Sequence, residues 1–141
     1  MQSTFDDLYK SDDDKALNGI RVVLGSNPKG GEVAFWIAEV NNPDHEKAQR
    51  KRSKRLERTR KREQQKLLTA EIVAEGILKN WEGVLDADGN EMPPTLENKT
   101  KALLKYSKLF TDVMDVASDP AFYTEDESVD TEEAERDTEK N

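Results

Sequence analysis

The feature that most constrains this chain is where large apolar residues are missing. Between Ala48 and Gln65 Leu56 stands nearly alone, in a run of Arg, Lys, Gln and Glu. A core must therefore be assembled from the stretches on either side. Whatever forms across the gap is a solvated element, and its residues are good helix formers. The whole chain follows the same economy. Its apolar share is 34% and its charged share 37%, against roughly 45–50% (counting Gly) and about 25% in an average globular domain. A modest core fits such a composition, with part of the chain extended or solvated.

Residues 19–25 read GIRVVLG, where Ile20, Val22 and Leu24 alternate with Arg21 and Val23. That period of two predicts a strand. Residues 33–40, VAFWIAEV, are aromatic and β-branched and predict a second strand, with SNPKGG as the loop of a β-hairpin. An isolated hairpin is marginal in water and needs a partner surface. Both faces of the second strand are apolar: Val33, Phe35 and Ile37 on one, Ala34, Trp36 and Ala38 on the other. One face is expected to meet a helix of this chain. The other is expected to meet a second subunit or another protein, which makes Phe35, Trp36 and Ile37 candidate partner-binding residues.

A helix follows. Asn42 suits its N-cap, Pro43 its first position, and Asp44 and Glu46 the positive end of its dipole. It is expected to run to about Lys66, giving a basic helix at 43–66. Over 67–81, Ala70, Val73, Ala74, Ile77, Leu78 and Trp81 follow helical spacings; whether the helix is continuous or breaks near Thr69 is left open. Residues 82–94 form a loop around Asp88-Gly89 and Pro93-Pro94. Thr95 caps a further helix whose buried stripe is Leu103, Tyr106, Phe110, Val113 and Ala117. A break near Ser107 is compatible with the sequence, and Pro120 ends the run. Phe122 and Tyr123 are placed to dock back on the core. The predicted class is α+β, an N-terminal hairpin followed by three or four helices. The predicted organisation is a flexible acidic segment 1–17, a single domain 18–123 and a disordered acidic tail 124–141.

Several function classes are disfavoured. The absence of cysteine removes disulfides, thiolate nucleophiles and Cys-based metal sites. The acidic N-terminus lacks the pattern of a signal peptide, and no apolar run approaches the ~18 residues of a membrane span; the expected location is the cytoplasm. His45 is the sole histidine and is expected at the surface. Asp86, Asp88, Asn90 and Glu97 fall at positions 1, 3, 5 and 12 of a calcium loop, but Glu91 stands where that loop requires Gly. No Ser has a nucleophile motif around it, and SNPKGG lacks the spacing of a phosphate loop. These readings predict a binding protein with no catalytic residue, metal or cofactor.

The net charge of −8 is segregated: acids near the N-terminus, acids from Glu125 to Glu139, and between them a basic run. That run comprises Arg50, Lys51, Arg52, Lys54, Arg55, Arg58, Arg60, Lys61 and Arg62, with Glu57 as its one acid. On a helix it makes a rod roughly 20 Å long, suited to phosphates, to an acidic protein surface, or to plain solvation. Trp81 reads first as a core anchor and second as a partner hot spot. Tyr106 and Phe110 are candidates to be structural or partner-facing.

The order of these features resembles that of small tail assembly chaperones of long-tailed bacteriophages. The resemblance is carried by Trp81 and Gly83, the turn of Asp86, Asp88 and Gly89, the helix start of Pro94, Thr95 and Glu97, the Leu-rich helix after it, and Phe122. It is best over 70–123 and looser over 19–49. It implies a protein that coats the apolar, helical tape-measure protein, helps recruit tail-tube subunits, and is then displaced. The basic run is denser than the resemblance implies, which keeps a nucleic-acid-associated role as the alternative. A structural tail or connector component of the virion is a third.

Overall fold

The structure is a computed structural model that describes residues 4–5 and 10–125. The elements run α1 (Asp13–Asn18), β1 (Ile20–Ser26), β2 (Glu32–Ile37), α2 (Pro43–Arg58), α3 (Arg62–Gly76), β3 (Leu78–Glu82), α4 (Leu96–Lys105) and α5 (Ser107–Ala117), closed by a 3-10 turn at Pro120–Tyr123. The strands form one antiparallel sheet in the order β1-β2-β3. The fold is α+β, as the sequence predicts, with one strand more.

That extra strand corrects the reading of 67–81 as one helix through Trp81. Helix α3 stops at Gly76, and β3 pairs with β2, Leu78 opposite Ile37 and Trp81 opposite Phe35. Trp36 sits opposite Asn80, so Lys79 is an extra residue, a β-bulge. The bulge puts Leu78 and Trp81, three apart, on the same face of the sheet, and both are buried. A three-residue spacing that mimics a helix is here produced by a strand with an inserted residue.

The expected basic helix 43–66 is also two helices. It breaks at residues 59–61 rather than near Thr69, where both flanking residues, Thr59 and Lys61, are extended. Gln65 Nε2 donates to the Thr59 carbonyl at 3.0 Å and holds the corner. Helices α2 and α3 therefore form a hairpin.

The core lies between the sheet and α3–α5. Ile20, Val22, Phe35, Ile37, Leu78 and Trp81 from the sheet meet Ala70, Val73, Ala74 and Ile77 of α3 and its end, then Leu103, Val113, Val116 and Ala117. Tyr123 seals it, fully buried, with its hydroxyl donating to the Ile37 carbonyl at 2.9 Å. Burial and nearby carboxylates push that phenol far above its usual pKa.

Residues 13–18 lie largely in the segment expected to be flexible, yet they form α1, capped by Asp12. The chain here is tied to the other end of the domain: Asp12 N–H donates to the Tyr123 carbonyl at 2.7 Å, and Ser11 bridges Thr124. Residues 6–9 of that segment lie outside the described residues, as does the tail from residue 126.

Candidate functional site

Two surfaces hold most of the residues that the sequence singled out: an elbow between α4 and α5, and the basic helical hairpin. The elbow is Tyr106, whose extended backbone (φ −115°, ψ 92°) interrupts what is otherwise one helical run. On one side of it a groove of about 460 Å³ opens between α3 and the elbow. Its apolar lining is Ala70, Leu103, Leu104 and Phe110, and Arg62 and Lys66 stand at its rim. On the other side an apolar recess of about 310 Å³ is lined by Phe35, Trp81, Ala102, Tyr106 and Leu109.

The candidate partner residues therefore separate. Phe35 and Trp81 meet edge to face, ring centroids 6.1 Å apart, and both are buried. Trp81 Nε1 donates to the Met92 carbonyl at 2.7 Å and so anchors the loop after β3. Ile37 is fully buried. These three belong to the chain's own core. Trp36 lies on the opposite sheet face, half-buried, with the Arg21 guanidinium 5.8 Å from its ring centroid. Arg21 is held there by ion pairs to Glu82 and Glu32. Tyr106 is 54% exposed, and Phe110 is half-buried in the groove.

Leu104, 44% exposed, is the groove residue that the buried stripe missed. A signal for it was present. Adjacent residues on a helix point about 100° apart, so of two adjacent leucines only one can sit at the centre of a buried stripe. Leu67-Leu68 behaves the same way, with Leu68 buried and Leu67 exposed.

The basic run is not a uniform rod. Arg52 is 4% exposed and lies between α2 and α3. Its Nε donates to Glu71 at 2.9 Å and its Nη1 to Glu75 at 3.0 Å. The Arg52 hydrogen bond, opposed by burial, holds the Glu75 carboxyl below its usual pKa. Lys51 also pairs with Glu75 at 3.4 Å, and Arg50 with Glu46 at 3.8 Å. The remaining six, Lys54, Arg55, Arg58, Arg60, Lys61 and Arg62, are exposed, and none has an ion pair among the described residues. Sequence spacing did not separate these two groups, because the acids that neutralise Arg52 lie 19 and 23 residues away.

His45, expected at the surface, is 6% exposed. Its Nδ1 accepts from the Asn41 N–H at 2.8 Å, which fixes it as the neutral form, and burial lowers its pKa from 6.5. It is buried because α3 ends against it: a Cβ on Gly76 would lie 2.4 Å from the His45 Cα. Beside it, Asn42 caps α2 by accepting from Asp44 and His45 N–H, and its amide donates to the Gly76 carbonyl at 2.9 Å. The loop that looks like half of a calcium site is closed by its own backbone. Asp86 Oδ1 accepts from Asp88 and Asn90 N–H at 2.9 and 3.0 Å. Among the described residues no group of three or more His, Asp or Glu is arranged to hold a metal ion, and no helix is long and apolar enough to cross a membrane.

No curated protein and no solved structure matches the chain. The sequence model of one family, described as YdaY prophage protein, matches residues 38–134. The match begins just after β2 and takes in α2, α3, β3, α4 and α5, so both the basic hairpin and the elbow groove fall within it. The chain belongs to the YdaY prophage protein family and is a phage-related protein.

Proposed function

We propose that this protein is a tail assembly chaperone, acting in the host cytoplasm, which holds the tape-measure protein in soluble form and helps recruit tail-tube subunits before it is displaced. The observation that carries this reading is the open groove at the α4–α5 elbow, with Leu104 and Phe110 presented beside Leu103 and Ala70. A helix elbow cannot close on itself as a straight helix packs on its neighbour, so it leaves apolar side chains available. A tape-measure segment is helical and apolar, and a groove between helices is the usual receptor for such a segment. Arg62 and Lys66 at the rim favour segments that carry acids beside their apolar stripe. The groove is small, and a small contact suits a partner that must later be displaced. Membership in a prophage family and the resemblance to tail chaperones point the same way.

The test is affinity capture of tagged protein during phage infection, with nuclease added, followed by mass spectrometry. Wild-type protein is expected to retain a long helical tail protein or tail-tube subunits. Leu104→Ser combined with Phe110→Ser is expected to lose most of that capture, with the melting temperature used to check that the domain remains folded. Unchanged capture by a folded double variant would remove the groove from the reading. Stoichiometric protein in finished particles would replace the chaperone with a structural tail or connector component.

A further inference from the structure

Six cations have no ion pair among the described residues, and all of them but Arg62, which also lines the groove, are left unused by the chaperone reading. We propose that the α2–α3 corner is a docking surface for the phosphodiester backbone of a nucleic-acid duplex, held without reading its bases. Lys54, Arg55 and Arg58 come from the last turns of α2, Arg60 and Lys61 from the corner, and Arg62 from the first residue of α3. Within 54–62 the one acid is Glu57, so the corner carries a local excess of about five positive charges on a chain of net charge −8. Its neighbours do not share that role. Arg50, Lys51 and Arg52 are already paired with Glu46, Glu71 and Glu75, so within the basic run the cations without an ion pair among the described residues begin at Lys54.

The kind of partner follows from what the corner lacks. It has no aromatic side chain, and its single apolar one, Leu56, is half-buried. A protein partner of standard affinity needs an apolar centre inside its polar rim, and the corner has none. A single strand is held largely by stacking its bases on aromatic rings, and none is present. What remains is attraction by charge alone, which a regularly charged duplex supplies through release of its condensed counterions. Four of the six are arginines, whose planar forks suit phosphate oxygens. The corner's geometry is also fixed before any partner arrives, by Gln65 on the Thr59 carbonyl and by the Arg52 clamp about two turns back.

The experiment uses the full chain and a short fluorescent DNA duplex of mixed sequence, read by anisotropy. Binding through about five phosphates should weaken roughly 500-fold between about 50 mM and about 200 mM salt. The triple variant Arg58→Glu, Arg60→Glu, Arg62→Glu should abolish binding. The control Lys101→Glu, Lys105→Glu, Lys108→Glu makes the same change in net charge on α4–α5 and should retain most of it. Equal loss in both variants would overturn the site, as would no binding by the wild type at low salt. Preference for a single strand would overturn the duplex assignment. Displacement by polyglutamate as efficient as by unlabelled duplex, at matched charge, would replace the nucleic acid with an acidic protein surface.

Discussion

The two ends of the α2–α3 hairpin are built from similar residues and behave oppositely. At the sheet end, polar side chains lock the helices together: Asn42 reaches the Gly76 carbonyl, His45 lies against Gly76, and Arg52 spans Glu71 and Glu75. At the corner end, from Lys54 to Arg62, arginines and lysines project with no carboxylate partner among the described residues. The same residue type is an interior clamp at one end and a free cation at the other. What differs is the facing helix. Helix α3 offers Glu71 and Glu75 opposite Arg52, whereas its first turn carries Arg62 and Glu63, and Glu63 makes no ion pair with a corner cation among the described residues.

Breaking the locked end should cost far more than changing the free end. Gly76→Ala should have the largest effect, about 3 kcal/mol, because the new Cβ would meet backbone of α2 that cannot move aside; urea denaturation measures it. Arg52→Ala should follow at about 2–3 kcal/mol, since Glu71 and Glu75 lose the cation that satisfies them but keep some contact with water. Arg52→Lys should recover only part, because an ammonium cannot fork to two carboxylates.

The third effect is smaller and depends on pH. His45 is neutral in the fold with its pKa lowered from 6.5 by burial. On acidification the unfolded chain takes up this proton first, so stability is lost as pH falls from 6.5 toward the folded value. Protonation also removes the acceptor for the Asn41 N–H. Denaturation midpoints measured at about pH 7.5 and about pH 5.5 should fall for the wild type and change less for His45→Gln. The least effect belongs to Arg55→Ala, within about 0.5 kcal/mol on the same assay. A larger loss would show that the free end is also structural.

The hairpin strands, the cap at Asn42 with Pro43 after it, the cap at Thr95 and the break before Ser107 were all legible in the sequence, and the structure has each of them. Each depends on neighbours within a few residues: a period of two, a side chain reaching the next turn's N–H, a proline at a first position. The third strand was not legible, because a bulge at Lys79 gave Leu78 and Trp81 a helical spacing. The elbow groove was half legible. Phe110 was on the stripe, but its exposure depends on how α3 crosses beside it; Tyr106, read as part of the same buried stripe, is exposed and lines the recess on the other side of the elbow.

By itself the sequence determined which segments supply a core and which stay in water, because burial of apolar surface follows the pattern of side chains along the chain. It also determined that a dense basic run would be solvated over most of its length. Only the tertiary structure decided that Arg52 leaves that run for the interior, that His45 is buried and neutral, and that the run bends at Thr59 into a corner. The burial of Arg52 and His45 depends on groups 19 to 34 positions apart meeting across a helix crossing. No local periodicity encodes such a meeting; it exists only once α3 has packed on the sheet and α2 has folded back along it.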